Sequence, residues 1–322
     1  MTSLSKVNKA FVQQSKKERG MDMIETIKGK IENLGKTYIH EHIKLDLSSH
    51  KSDPDTNYND VDQLILEFKE LKGKGISSIV EVTNRGMGRD ILSLRKVADE
   101  TGLNIIASTG FYKEPFLPEY FYRLGNKELE KLLLKDIQKG IDGTDSKAHV
   151  LGEVGTSHNK ITPMERRAFD IVTNVHLETG KPIFTHTTLG TMALEQIEIL
   201  KNKSVDLEKV LIGHMDLNFN KEYHLRVADT GCYLGFDTIG KINYQPDEHR
   251  IELIKELIKR GHEDQIVLSL DLTRKSHLKN RGGIGYSYLI DIFIPMLIDS
   301  GVSEKIIDKF LIDNPDRLLN IS

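Results

Sequence analysis

Cysteine is almost absent from the 322 residues: Cys232 stands alone, so no intrachain disulfide framework can form. No stretch of eighteen or more apolar residues occurs, so no membrane-spanning helix is expected. The first twenty residues, MTSLSKVNKAFVQQSKKERG, are basic and polar and lack the apolar run of a secretory signal. Charge of one sign is also scarce. A net charge of −3 leaves no broad attraction for nucleic acid or an anionic membrane surface. No Gly-x-Gly-x-x-Gly or Walker-type loop follows an early strand, and no Pro/Gly/Ser-rich linker or low-complexity tract divides the chain. What is present is an ordinary globular balance, 38% hydrophobic and 29% charged, enough for a sizeable core. These features predict a polar N-terminal extension over 1–22 and one domain over 23–322, acting on a small molecule in a reducing cytoplasm.

Eight short β-rich segments alternate with longer amphipathic ones. The strand candidates are TYIHEH (37–42), SSIVEVT (77–83), NIIASTG (104–110), HVLGEVG (149–155), PIFTHT (182–187), VLIGHMD (210–216), YLGFDTIG (233–240) and IVLSLDLT (266–273). Between them, DVDQLILEFKELKGKG, RAFDIVTNVHLETG and DEHRIELIKELIKRG carry apolar residues at helical spacing with Gly near their ends. Repeated βαβ units with eight strands predict an α/β fold of the closed (β/α)8, or TIM barrel, type, with a doubly wound open sheet as the alternative. IETIKGKIENLG, ahead of the first strand, reads as a short hairpin closing one barrel end.

The chemistry lies in where polar residues fall. Polar side chains in otherwise apolar strands are costly to bury without partners. Here they gather at strand C-terminal ends: His40 and His42 on the first, Glu153 on the fourth, His186 on the fifth, His214 on the sixth and Asp271 on the eighth. A barrel brings these ends to one rim, where active sites are built. Two histidines separated by one residue on a strand project to the same side and suit chelation of one ion. Four imidazoles with two carboxylates suit zinc or another borderline divalent ion, and the ligand number fits two ions better than one. A carboxylate between two ions would let them share a water or hydroxide, the arrangement of two-metal hydrolysis.

At this point the text HEH, TGFYKEPFLPE, GEVGTSHNKITPMERRAF, THTTLGTMALEQ, IGHMD, FDTIGK, LSLDLTR and DNPDRLL resembles the phosphotriesterase family of the amidohydrolase superfamily, over about 38–320. The resemblance implies that His40, His42 and Asp271 hold the buried ion, that His186 and His214 hold the more exposed one, and that Glu153 bridges them. Better-known phosphotriesterases use a carbamylated lysine as the bridge. Glu at this place weakens the inference to phosphotriester substrates, and neither Lys147 nor Lys160 sits at the matching strand end. The resemblance further implies a hydroxide between the ions that attacks an ester, lactone or phosphoester, with Asp271 receiving the proton, and a homodimer.

Substrate contacts are expected from the rim loops. Tyr112, Lys241 and Arg274 are the leading candidates, with Arg85 and Arg89 as further cations, and an anionic substrate such as a phosphorylated sugar lactone suits them. His50, His149, His158, His176, His224, His249, His262 and His277 read as surface or helix positions. Asp237 is either a partner to a ligand or a strand-end acceptor, and Cys232 reads as buried packing. Two further functional readings remain: a metal-dependent nuclease of the TatD type, and a metal-dependent binding or regulatory protein without turnover.

Overall fold

A computed structural model describes residues 23–320, so the expected extension over 1–22 lies outside the described residues. The chain begins with an antiparallel hairpin, β1 (Ile24–Thr26) and β2 (Gly29–Ile31), as IETIKGKIENLG implied. It seals the end of the barrel away from the site: Ile27 donates its N–H to the Ile105 carbonyl at 3.0 Å, and the Ser146 hydroxyl donates to the Ile27 carbonyl at 2.7 Å. Strand β3 (Lys36–Glu41) follows, then a small rim ribbon of β4 (Leu45–Asp46) and β5 (Asn57–Tyr58). Next come β6 (Ile76–Glu81), β7 (Asn104–Thr109), β8 (Ala148–Thr156), β9 (Ile183–Thr187), β10 (Val210–Gly213), β11 (Tyr233–Phe236) and β12 (Ile266–Leu268). With β3 they form one eight-stranded parallel sheet in sequential order. The architecture is the (β/α)8 barrel, not the open sheet.

Side chains complete the closure between the first and last barrel strands. The His40 N–H donates to Ser269 Oγ at 3.0 Å. The Glu41 carboxylate accepts from the Leu270 N–H and the Ser269 hydroxyl, each at 2.8 Å, and from the Leu272 N–H at 3.3 Å. A fully buried carboxylate thus satisfies strand-end donors on the neighbouring strand, fixing His40 and His42 on either side of it.

The helices between the strands begin and end where their caps dictate. Helix α1 (Val61–Gly73) starts at Asp60 and α2 (Ile91–Thr101) at Asp90, each carboxylate accepting first-turn N–H groups. After α3 (Asn126–Gln138), α4 (Pro163–Thr179) opens with a Thr162/Glu165 capping box and Pro163, and closes on Gly180 in the left-handed region. Glu165 also accepts from the Ser157 hydroxyl at 2.6 Å, pinning the loop that leaves β8. Then come α5 (Ala193–Lys201), α6 (Lys221–Ala228) and α7 (Asp247–Lys259), and a segmented helical tail over 289–319.

Two apolar layers result. One residue from each barrel strand, Ile39, Val80, Ile106, Val150, Phe184, Leu211, Tyr233 and Val267, joins Ile24 and Leu34 of the hairpin region in one cluster filling the barrel. The alternate strand residues, such as Ile79, Ile183, Ile212 and Leu234, belong to the larger cluster shared with the helices. A packed floor therefore lies beneath the open rim.

Candidate active site

The six residues singled out as metal ligands meet above this floor. Simple alternation does not bring them there. Ile39 belongs to the interior layer while its neighbour His40 reaches the site, and the ladder shifts register between Tyr38 and Glu41. A second shift falls between Leu151 and Val154, around Glu153. His214 and Asp271 adopt left-handed backbone, with φ of 58° and 49°, so both leave the ladder as they enter the site. Such conformations are costly for residues with a Cβ and persist where surrounding contacts over-determine them. Gly152, at φ 130°, is required by close approach: a Cβ there would lie 2.1 Å from the Phe184 carbonyl oxygen on β9.

Glu153 lies at the centre. Its Oε2 is 3.2 Å from His186 Nδ1, 3.6 Å from His40 Nε2 and 3.7 Å from His214 Nε2, while Oε1 is 3.7 Å from His42 Nε2. Asp271 Oδ1 lies 3.2 Å from His42 Nε2 and 3.8 Å from His40 Nε2. His186 Nδ1 and His214 Nε2 are 2.7 Å apart. Two groups overlap at the glutamate: His40, His42 and Glu153 on one side, Glu153, His186 and His214 on the other. The Glu153 carbonyl accepts from Asn84 at 2.7 Å, and His42 Nδ1 meets Thr83 Oγ1 at 2.7 Å, so the loop after β6 braces both.

The site's electrostatics are unbalanced without a cation. Burial pushes the Glu153 carboxyl up, but the close approach of the His186, His214 and His40 rings outweighs it and holds the group well below the usual range. Asp271 is likewise held well below, against burial, chiefly by Lys241 and His42. Burial and the adjacent His214 push His186 down to about 3, leaving a neutral imidazole. Both ring nitrogens of His40, Glu153 Oε2 and Asp237 Oδ2 are fully buried with no hydrogen-bond partner. Buried polar atoms are normally paired. His40 Nε2 and Glu153 Oε2, orphaned beside the other imidazole nitrogens, are what a divalent cation satisfies, so the residues present fit bound metal.

Asp237, undecided between two roles from sequence, orients the histidines. Its Oδ1 accepts from the His214 backbone N–H at 2.9 Å and lies 2.8 Å from His214 Nδ1, while Oδ2 lies 3.3 Å from His40 Nδ1. A carboxylate behind two imidazoles places their protons on Nδ1 and turns the Nε2 lone pairs toward Glu153. Asp237→Asn puts an N–H₂ donor into this contact and inverts the preferred tautomer of one ring. The expected outcome is a fall in metal affinity of about 10–100-fold, as for other partners behind a ligand, read by competition with a metal-chelating dye.

A cavity of about 280 Å³ opens over the group, lined by His42, Glu153, His186, His214 and Asp271 together with loop residues. Tyr112 lines it, its hydroxyl 3.2 Å from both nitrogens of His186. Lys241 also lines it, with Nζ 2.5 Å from Asp271 Oδ2. Arg274 sits to one side, in a neighbouring cleft with Lys51, Lys241 and His277; its guanidinium is paired with Asp53 and lies 3.6 Å from Asp55. Arg85 and Arg89 face away, bound to Asp136 at 2.8 and 3.0 Å, so they brace the rim and are removed from the substrate-contact set. Among the histidines set aside, His149 departs from the surface expectation: it is buried on β8, its Nε2 2.7 Å from the Leu319 carbonyl at the closed end. Lys51 and Lys113 line the cavity although the sequence reading passed over both.

Comparison with known proteins agrees with this geometry. Residues 22–319 match the model of the phosphotriesterase family. The chain is 42% identical over 283 residues to the phosphotriesterase homology protein of Escherichia coli, covering 88% of this chain and 97% of that one. A crystal structure of that protein, complexed with phosphate in its active site, superposes with a TM-score of 0.88, covering 90% of this chain and all of the other at 41% identity. An N-acetyltaurine hydrolase from Dictyostelium discoideum is 37% identical, over 82% of this chain and 74% of its own. A phospho-furanose lactonase from Mycoplasmopsis synoviae is 34% identical, over 90% and 88%. With the barrel, the metal-fitting rim cluster and the relatives in agreement, this chain belongs to the phosphotriesterase family and is a hydrolase.

Proposed function

We propose that the protein is a binuclear metal-dependent hydrolase of small anionic esters, lactones or phosphoesters, with a phosphorylated lactone the favoured substrate. The observation that carries this reading is the convergence of orphaned buried nitrogen and oxygen atoms around Glu153 at the floor of a lysine-lined cavity. His40, His42 and Asp271 would hold one ion, His186 and His214 the other, and Glu153 both. Two divalent ions, zinc by the chemistry of the donors, would supply a water acidic enough to react near neutral pH and an electrophilic contact for the scissile group.

The chain's own residues do the rest. Asp271 Oδ2, held by Lys241, accepts the proton of the attacking water, and the ammonium beside it keeps that carboxylate ionised between turnovers. Tyr112 and Phe116 wall the cavity and exclude water from one side. A carboxylate bridge needs no carbon dioxide, and the small cavity favours a planar acyl group over a bulky phosphotriester. The relatives that act on a phospho-furanose lactone and on N-acetyltaurine support carbonyl substrates bearing an acidic tail. No helix among the described residues is long and apolar enough to cross a membrane.

The test is a panel assayed with metal-loaded protein: a phosphorylated furanose lactone, its unphosphorylated counterpart, N-acetyltaurine, an aryl dialkyl phosphate and an oligonucleotide. The phosphorylated lactone is expected to have the highest kcat/KM, and preferential cleavage of the oligonucleotide would replace this reading with the nuclease one. Chelation should abolish turnover and lower the thermal midpoint, because the buried carboxylates lose their counter-charge and the imidazoles the cation they ligate. A ligand held at a hundred times its Kd stabilises by about 2.7 kcal/mol, which sets the scale of the loss. Calorimetric melting before and after chelation measures it, and an unchanged midpoint with full activity would remove the metal from the mechanism.

A further inference from the structure

Four cations surround the cavity and its side cleft, and they divide into two kinds. Lys241 is consumed by Asp271 and Arg274 by Asp53. Lys51 and Lys113 have no carboxylate within ion-pair distance among the described residues. Both ammoniums instead face one aromatic ring: Lys51 Nζ is 5.9 Å and Lys113 Nζ 5.6 Å from the Phe116 centroid, and Lys113 is also 5.6 Å from that of Tyr112. Ring faces attract cations but do not neutralise them.

The backbone holds these lysines in place. Lys113 lies between Tyr112, whose carbonyl accepts from the Gly155 N–H at 3.0 Å, and a turn in which the Phe116 N–H donates to the Lys113 carbonyl at 2.8 Å. Lys51 ends the short helix Ser48–Lys51, its N–H bonded to the Leu47 carbonyl at 3.0 Å. The two approach from loops after β3 and β7, over the side of the cavity walled by Tyr112 and Phe116. Burial first, with the charges of Arg274, Lys241 and Lys113, lowers the Lys51 pKa against the opposing pull of Asp271; burial lowers that of Lys113 against Glu165 and Glu153. An arriving anion would relieve this crowding.

We propose that Lys51 and Lys113 form a clamp for a tetrahedral oxyanion, a phosphate or sulfonate, carried on the tail of the substrate, with the Phe116 ring as the aromatic surface both ammoniums share. The assignment deepens the hydrolase reading above and rests on the same cavity. Lys241 and Arg274, the cations most legible in the sequence, are tied down by their carboxylates, so discrimination for the charged tail lies with the two lysines that lack such ties. Lysine suits this work because its three donors rotate around a point charge and do not demand the planar fork of a carboxylate.

The experiment separates tail recognition from turnover. Binding of ribose 5-phosphate, ethanesulfonate and neutral ribose to metal-loaded protein is measured by calorimetry for the wild type, Lys51→Met, Lys113→Met and the double variant. Met keeps the packing of the stem, and the Lys→Arg pair at the same positions serves as rescue. Each Met substitution is expected to weaken the preferred anion roughly 10–100-fold, the worth of a hydrogen bond to a charged group, while ribose binding stays the same. Loss confined to ribose 5-phosphate assigns phosphate, and loss confined to ethanesulfonate assigns sulfonate. Unchanged binding of both anions in the double variant overturns the clamp. In turnover assays on a phosphorylated lactone the same variants should raise KM and leave kcat, and the rate on its neutral counterpart, unchanged. Lysine-dependent anion binding by a protein that hydrolyses nothing in the panel keeps the clamp and removes the hydrolytic reading, whereas turnover indifferent to both lysines does the reverse.

Discussion

On the proposed binuclear site, Glu153→Gln is expected to reduce the metal bound per chain by at least one ion and to lower kcat/KM by about 10²–10⁴-fold. The size follows from the roughly 3–5 kcal/mol cost of removing one partner from a buried charge cluster. Gln preserves the shape of the side chain, so β8, buried along its whole length, should retain its packing and the protein its fold. What changes is chemical. Oε2 faces His40, His186 and His214 and has no hydrogen-bond partner, so in the wild type it is free to bind a cation. An amide nitrogen at that place is a donor without a usable lone pair, and an amide oxygen there carries no charge. The two overlapping clusters would lose the one group they share. Elemental analysis of the purified variant, beside a circular dichroism melt, checks both halves. Retention of two ions with activity within a few fold of wild type would show that Glu153 does not bridge.

The fold was legible because barrel strands buried on both faces are short apolar runs, and eight of them alternate with amphipathic segments closed by Gly. Predicted and observed strands agree closely at Asn104–Thr109 and Ile183–Thr187. They part at the last three, where 210–216, 233–240 and 266–273 overrun strands that end at Gly213, Phe236 and Leu268. The cause is the rim itself. His214 and Asp271 turn into left-handed backbone to reach the site, and no propensity scale anticipates a β-like sequence leaving its ladder to place a side chain.

The candidate site was legible for a related reason: His, Glu and Asp at the ends of apolar strands are expensive without partners, and five different ends supplied them. The loop residues were harder. Arg85 and Arg89 looked like Lys51 and Lys113 in sequence, all four being cations in polar loops. What separates them is Asp136, on α3 and more than forty positions away, which takes both arginines and leaves the lysines unpaired. A signal that could have found Lys113 was its place beside Tyr112 in TGFYKEPF, directly after a strand end. For Asp237 it was position at the rim of β11, level with the ligands, though only the folded barrel brings its carboxylate to His214 and His40 together.

Asp271→Asn is expected to leave the fold, and most of the metal, in place while lowering kcat by about 10²–10⁴-fold, the range for loss of a positioned acid–base group. His40, His42 and Glu153 still form a cluster without it, so metal content should fall less than in Glu153→Gln. KM should change little, since Lys51 and Lys113 are untouched. Lys241 supplies the sharper arm of the test. Its ammonium is 2.5 Å from Asp271 Oδ2, and with Asp271 itself 9% exposed the pair is largely shielded from water. If Lys241 acts through Asp271, Lys241→Met lowers kcat in the wild-type background and has almost no further effect in Asp271→Asn, a non-additivity that the double-mutant cycle measures directly. Additive losses would instead place Lys241 on the substrate, independently of the carboxylate. Activity of Asp271→Asn equal to wild type would remove the proton transfer assigned to Oδ2 and leave Asp271 a structural neighbour of His42.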